Sequence, residues 1–202
     1  MSKLIRFMLF VAVLLYCCKG YKVRIAPTED QSHSSSKRAM NNLHKETDEI
    51  KEKAITLTDD ERKKFNSLKH ALEKVVEKLQ NQIQGCQNDK SKCTSFLTWL
   101  SKDIPKQKEL ANAFTDVYNF LEKKRQEKAS DKDFDTYISD AIDCQAGNND
   151  GKYGNGTNEI EQFFRGILND IPNKPTNKEM FECLKDGLTS DNSHWGGLKN
   201  WE

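Results

Sequence analysis

The chain has 202 residues, of which 31% are charged and 36% are hydrophobic. Its 32 basic and 31 acidic residues give a net charge of +1, which excludes the strongly basic surface that is typical of nucleic-acid-binding proteins. So polar a composition favours one small domain of amphipathic helices over a buried parallel sheet. We place this domain at residues 57–202.

The N-terminus predicts an export signal. Lys3 and Arg6 precede an apolar run at residues 7–16, about half the length that a membrane-spanning helix needs. An aliphatic residue stands at −3 and a small residue at −1 relative to Cys18, which resembles the bacterial lipobox. We therefore expect residues 1–17 to be a signal peptide and Cys18 to be the lipidated first residue of the mature protein.

Two alternatives concern this N-terminal region. Cys17 is the other candidate for lipidation, but bulky Tyr16 would then stand at −1. An uncleaved membrane anchor that ends in two thiols is the alternative to lipidation. Residues 18–56 are polar and contain too little apolar surface to offset the entropy of ordering, so we expect a lipidated flexible tether there.

Four of the six cysteines lie beyond the signal region. In an exported chain they predict two disulfides, for which three pairings are possible. Cys86 and Cys93 bracket a short polar turn, so we pair them, and this leaves Cys144 with Cys183. A four-cysteine zinc site is the competing interpretation, but it requires C-x-x-C pairs that this sequence lacks.

The first helix of the domain is predicted from residue 58 onward. Thr58-Asp59-Asp60-Glu61 matches a capping box, in which the Thr hydroxyl and the Glu carboxylate each accept from the other residue's backbone amide. Apolar residues then recur three and four apart through residues 65–83, which indicates one buried helix face. Gly85 is expected to end this helix.

Further helices are predicted by the same periodicity. The second is separated from the third by Pro105, which suits a first helical turn, and the third ends in a charge run that we expect to be solvated. Their expected positions are residues 94–104, 105–121, 133–144, 159–171 and 176–188. No segment shows sustained period-two alternation, so we predict an all-α bundle of five or six short helices, stapled by disulfides, behind a disordered tether.

The sequence contains no clear catalytic or metal-binding motif. The Gly- and Asn-rich loop at residues 146–158 is reminiscent of a calcium loop. The twelve-residue calcium-binding loop has glycine at position six and oxygen ligands at positions one and three. If Gly151 is placed at position six, Ala146 falls at position one, where a carboxylate is required. If Gly156 is placed there instead, Tyr153 falls at position three. The four histidines are scattered, and no G-x-S-x-G elbow occurs. We predict no catalytic residues, no cofactor and no metal.

Two tryptophans, Trp195 and Trp201, stand beside glycines in the C-terminal segment. Exposed tryptophans are effective contact anchors, so both are candidate contact residues. The alternative, which we favour, is that they fold back over a thin core.

Short motifs spread along the predicted domain carry a family resemblance. They are Leu57-Thr58, Gln84-Gly85-Cys86, Trp99-Leu100-Ser101-Lys102-Asp103, Gln107-Lys108-Glu109-Leu110-Ala111, Phe134-Asp135-Thr136-Tyr137-Ile138, Ala141-Ile142-Asp143-Cys144, Lys152-Tyr153-Gly154, Gln162-Phe163-Phe164-Arg165-Gly166, Cys183-Leu184-Lys185 and Gly197-Leu198-Lys199-Asn200-Trp201. In this order they resemble the Mlp (multicopy lipoprotein) family of borrelial spirochaetes.

The resemblance implies a variable lipoprotein that is held in the cell outer membrane by its N-terminal lipid, exposed at the surface and recognised by host antibodies. It supplies no catalytic residues. We expect a non-enzymatic protein that contacts host or serum proteins, with a complement regulator as the partner suggested by analogy with other borrelial surface lipoproteins. The alternative is an immune-facing coat protein with no fixed ligand.

Overall fold

The computed structural model describes residues 55–87, 89–145, 147 and 149–201. The predicted signal peptide, Cys18 and nearly all of the predicted tether lie outside these residues. The described part is helical and contains no strand, which confirms the all-α prediction. No helix within it combines the length and the apolar character that crossing a membrane requires.

The first helix, α1, spans Asp59–Leu79 and continues into a 3-10 turn at Gln80–Gln82. Its capping box is present as predicted. The Thr58 hydroxyl accepts a hydrogen bond from the Glu61 amide at 3.2 Å, and the Glu61 carboxylate accepts from the Thr58 amide at 2.9 Å. Gly85, beyond the turn, packs so closely on Pro172 that a Cβ would overlap the proline ring.

Three helices follow in the next forty residues: α2 (Lys90–Leu100), α3 (Ile104–Ala113) and α4 (Thr115–Lys128). Helix α2 begins earlier than predicted because the Asp89 carboxylate accepts a hydrogen bond from the Ser91 amide at 2.8 Å and caps it. Pro105 occupies the first turn of α3, as predicted, and Asp103 caps this helix. The single helix predicted after Pro105 is divided at Phe114.

The second half contains α5 (Phe134–Cys144), α6 (Glu159–Asp170), α7 (Asn177–Thr189) and α8 (His194–Leu198), with a 3-10 turn at Ile171–Asn173. Side chains cap α5, α6 and α7 at the residue before each helix. The structure thus has more helices than the five or six predicted, because of the division at Phe114 and the short α8.

The core is centred on α1, which packs against α2, α3, α5 and α6. Its buried face includes Leu68, Leu72 and Val75, the apolar stripe that the sequence predicted. Helix α7 packs against α2, α3, α6 and α8, and α4 packs against α3 and α5. These contacts join the helices around a common hydrophobic core.

Candidate functional site

One predicted disulfide is present. Cys86 and Cys93 are bonded, with their Cα atoms 6.2 Å apart, and both are buried. The bond joins the end of the segment after α1 to the first turn of α2. Gln80 holds the segment that carries Cys86 in place, because its side-chain amide donates to the Cys86 carbonyl at 3.2 Å.

The second predicted disulfide does not form. Within the described part of the chain, Cys144 and Cys183 are free, half-buried thiols. Cys144 ends α5, which packs mainly on α1, α4 and α6, whereas Cys183 lies midway along α7, which packs mainly on α2, α3, α6 and α8. The two cysteines therefore belong to helices with largely different neighbours. Burial raises the pKa of the Cys183 thiol, which lowers its reactivity.

The C-terminal tryptophans fold back on the helices. Trp201 is only 4% exposed and Trp195 is half-buried. Both rings meet the Phe120 ring edge to face, with centroid distances of 5.9 Å for Trp195 and 6.1 Å for Trp201. Trp201 is thus a packing residue in this structure, while Trp195 keeps part of its surface exposed.

A buried lysine accompanies these rings. Lys124 is 8% exposed, and its ammonium lies 4.9 Å from the centroid of Trp201 and 5.5 Å from that of Phe120. Cation–π attraction of this kind is strongest when the ammonium is shielded from water. The sequence indicated a solvated charge run here, although Lys124 stands three residues after buried Leu121 and so continues the apolar stripe of α4.

A concavity lined mainly by polar side chains lies between α1, the second half of α4 and the start of α5. We call it the polar cleft. It has a volume of about 470 Å³. Lys63, Asn66 and Ser67 line it from α1, and Asp135 lines it from the first turn of α5. No sequence pattern predicts this cleft, because its lining comes from three separate helices and the loop before α5.

Most charged groups of the polar cleft are paired. The Arg125 guanidinium donates to both carboxylate oxygens of Glu122, at 2.8 and 2.7 Å, and these hydrogen bonds hold the pKa of Glu122 below its usual range. Lys132 forms a salt bridge with Asp140. Asp133 caps α5 and accepts from the Thr136 amide at 2.7 Å, which lowers its pKa.

One residue of the polar cleft also carries a buried acceptor that no described group donates to. Oδ1 of Asp135 is buried and has no hydrogen-bond partner among the described residues. Lys63 lies on the opposite wall, with its ammonium 5.7 Å from the centroid of the Tyr118 ring. The neighbouring Tyr118 hydroxyl and the carboxylates of Glu122 and Asp135 raise the pKa of Lys63. The cleft is therefore lined by an ammonium on α1 and a carboxylate on α5.

A histidine and a serine also meet, between α1 and α5. Nε2 of His70 lies 2.8 Å from Oγ of Ser139. Neither residue lines the polar cleft, so the pair ties two helices together without facing that space. Within the described ranges, no group of three His, Cys, Asp or Glu side chains is arranged to hold a metal ion.

Comparisons with known proteins agree with the resemblance in the motifs. A model of the Mlp lipoprotein family matches residues 29–184. Lipoprotein MlpJ of Borreliella burgdorferi strain B31 is 52% identical over 155 residues, which cover 73% of this chain and 74% of that protein. Lipoprotein MlpB of the same strain is 44% identical over 163 residues, covering 76% and 77%. No solved structure is significantly similar to the chain. The chain belongs to the Mlp lipoprotein family.

Proposed function

We propose that this protein is anchored in the outer membrane by lipid on Cys18, is displayed at the cell surface, and contacts host molecules without catalysing a reaction. The observation that carries the proposal is the lipobox-like sequence before Cys18 in a member of a lipoprotein family. Residues 1–17 would be removed as a signal peptide, and residues 18–56 would connect the lipid to the helical domain.

Membrane attachment through lipid has a simple energetic basis. Each buried methylene of an acyl chain contributes about 0.8 kcal/mol, and a single chain holds a protein only marginally. Bacterial lipoproteins normally carry more than one chain on the modified cysteine, which makes their attachment durable. The thiol of Cys18 would carry the glycerol in a thioether, so this residue is the one on which anchorage depends.

A contact role fits the described surface better than catalysis. Several charged side chains of the polar cleft are held in salt bridges, as in the Arg125–Glu122 pair, and the relatives are named as lipoproteins and not as enzymes. A host serum protein, for example a complement regulator, is the partner class that we propose. The alternative is an immune-facing coat protein that has no fixed ligand.

Brief protease treatment of intact cells tests display at the surface. We expect the helical domain to be lost from intact cells while a periplasmic protein survives. Survival of the domain in intact cells, together with its loss after the outer membrane is opened, would place it in the periplasm and contradict the proposal.

A serum-protein binding assay distinguishes a protein that binds a host partner from a coat protein with no fixed ligand. The full chain, held on a lipid surface, is titrated with purified serum components. Saturable binding of one component with a submicromolar Kd is the expected result. Uniformly weak binding of all components would favour the coat protein with no fixed ligand.

A further inference from the structure

The loop between α5 and α6 exposes an asparagine that is followed by a glycine. Asn155, Gly156 and Thr157 are exposed, whereas Gly154 and Asn158 on either side of them are buried. The Thr157 carbonyl lies so close to Gly154 that a Cβ on this glycine would overlap it. The chain therefore turns tightly here, with Asn155 and Gly156 at the outside of the turn.

The backbone of Gly156 is unusually unconstrained. Its φ angle is +85°, a conformation that favours glycine because it has no Cβ. A Cβ built on it would meet no described atom within 4 Å. Among the described residues, no group accepts a hydrogen bond from its backbone N–H. This nitrogen can therefore approach a neighbouring group without breaking a hydrogen bond.

The group within its reach is the side-chain amide of Asn155. We propose that Asn155 is a site of spontaneous deamidation, in which the Gly156 nitrogen attacks the side-chain carbonyl carbon of Asn155. A carbon–nitrogen bond forms and closes a succinimide ring, while the Gly156 nitrogen loses its proton and the side-chain nitrogen leaves as ammonia. Ring closure is favoured because the two groups are joined by a short stretch of the same chain.

Water completes the reaction by adding to either carbonyl of the succinimide. The ring then opens to aspartate, or to isoaspartate, in which the chain runs through the former side-chain carbonyl. No oxidant, reductant or metal takes part. The product carries a new carboxylate at the surface of the loop, and the isoaspartate form also lengthens the backbone by a methylene.

Other asparagines of the domain lack this arrangement. Asn173 and Asn192 are exposed, but the backbone amides of Lys174 and Ser193 that follow them donate to carbonyls at 3.0 and 3.1 Å. Both of these residues also carry side chains, which hinder the attack. Asn158 is buried, and its side-chain amide donates two hydrogen bonds. We therefore expect Asn155 to react before these three.

The loop should tolerate the change at Asn155. The Tyr153 carbonyl accepts from the amides of Glu159 and Ile160 at 3.0 and 3.3 Å, and Asn158 holds the end of the loop by its own hydrogen bonds. These bonds do not involve Asn155, so the modified chain should remain folded. The reaction needs neither the lipid nor surface display, and its test can fail or succeed separately from those of the proposed function.

Peptide mass mapping of the aged protein provides the test. The purified full chain is kept at mildly alkaline and at mildly acidic pH, and a fresh sample is digested in parallel. Trypsin releases the peptide that begins at Tyr153 and ends at Arg165, which contains both Asn155 and Asn158. We expect the mass increase of amide-to-acid conversion at Asn155, with aspartate and isoaspartate both formed. The reaction should be faster at the higher pH, because the Gly156 nitrogen must lose its proton.

Variants assign the reaction to this pair. Gly156→Ala should slow the conversion about tenfold, a modest rise in activation free energy, because the added methyl group hinders the approach of the nitrogen. Gly197→Ala is the matched control, since a Cβ there also meets no described atom within 4 Å, and should leave the rate unchanged. Asn155→Ala should abolish the mass change in this peptide. The measurement on the unmodified chain stands even if Gly156→Ala disturbs the loop.

Three results would overturn the proposal. The first is an Asn155 that stays intact in the folded chain for as long as a synthetic peptide of residues 152–165 takes to convert, because the fold would then block the attack. The second is aspartate as the sole product, which would exclude the succinimide. The third is conversion of Asn158 or Asn192 as fast as that of Asn155.

Discussion

The side-chain amide of Asn158 donates a hydrogen bond to the backbone carbonyl of Ala141 at 2.6 Å. The same amide donates to the Gln145 carbonyl at 2.7 Å, and the side-chain oxygen accepts from the Glu161 amide at 3.0 Å. Asn158 is fully buried. One side chain thus caps the start of α6 and satisfies two carbonyls at the end of α5, so it fixes both ends of the Gly- and Asn-rich loop.

Replacing Asn158 with Ala should therefore lower the free energy of unfolding more than the loss of an ordinary helix cap does. Loss of the cap and of donors to two carbonyls predicts a decrease of about 2–4 kcal/mol in the free energy of unfolding, measured by urea denaturation. Asn155→Ala is the matched control in the same loop, because Asn155 is exposed, and should change stability by less than about 0.5 kcal/mol. Equal effects of the two substitutions would contradict the bridging role of Asn158.

The Cys86–Cys93 disulfide closes a short loop, so its stabilisation should be modest. The chain-entropy model predicts that Cys86→Ala/Cys93→Ala lowers the free energy of unfolding by about 2.5 kcal/mol. A reducing agent should lower the Tm of the unmodified chain but leave that of the double variant unchanged.

Alkylation followed by peptide mass mapping checks the pairing itself. When the chain is unfolded without a reducing agent, Cys144 and Cys183 should be labelled and Cys86 and Cys93 should not. Labelling of all four cysteines, or protection of Cys144 and Cys183, would contradict the pairing in the structure.

Trp201 should matter for stability because it packs against Phe120 and Lys124. We expect Trp201→Ala to lower the free energy of unfolding by about 3–5 kcal/mol, since it opens a cavity and removes the nearer of the two rings that contact the Lys124 ammonium. Trp195→Ala, at a half-buried position, should cost clearly less. Thermal unfolding of both variants makes the comparison, and equal costs would show that Trp201 is not the main packing residue.

The Glu122–Arg125 pair should make the free energy of unfolding decrease at low pH. The folded-state pKa of Glu122 is held below its ordinary value of 4.5, chiefly by the hydrogen bonds from Arg125. The stability from this shift is present in full above about pH 4.5 and is lost as pH falls through the lowered pKa. Glu122→Gln should cost up to about 1 kcal/mol at pH 7, because the pair is partly exposed, and almost nothing near pH 2.

Urea denaturation at several pH values measures this difference. Glu127→Gln is the control, because its salt bridge with Lys123 is long, at 3.9 Å, and exposed. A cost of Glu122→Gln that stays constant from pH 7 to pH 2 would contradict the account of the pair.

Local signals in the sequence predicted much of the fold. The helix start at Thr58 follows from a capping box, which acts within one turn and needs no tertiary information. The apolar stripe of α1 likewise depends only on helical spacing. The division at Phe114 has no marker in the sequence, because neither proline nor glycine stands there.

Features that depend on tertiary contacts were missed or predicted wrongly. A charge run concealed the burial of Lys124, because the rings of Phe120 and Trp201 come together with it only in the fold. Pairing by elimination joined Cys144 to Cys183 without information on helix packing. The polar cleft draws its residues from three helices and the loop before α5, and nothing in their spacing along the chain brings them together.

The mass of the intact protein purified from its native cells tests the central claim most directly. Lipidation at Cys18 predicts a chain that begins at Cys18 and carries the added mass of glycerol and acyl chains, and a Cys18→Ala variant that lacks this mass. A chain that still carries residues 1–17 and no lipid mass would contradict the account.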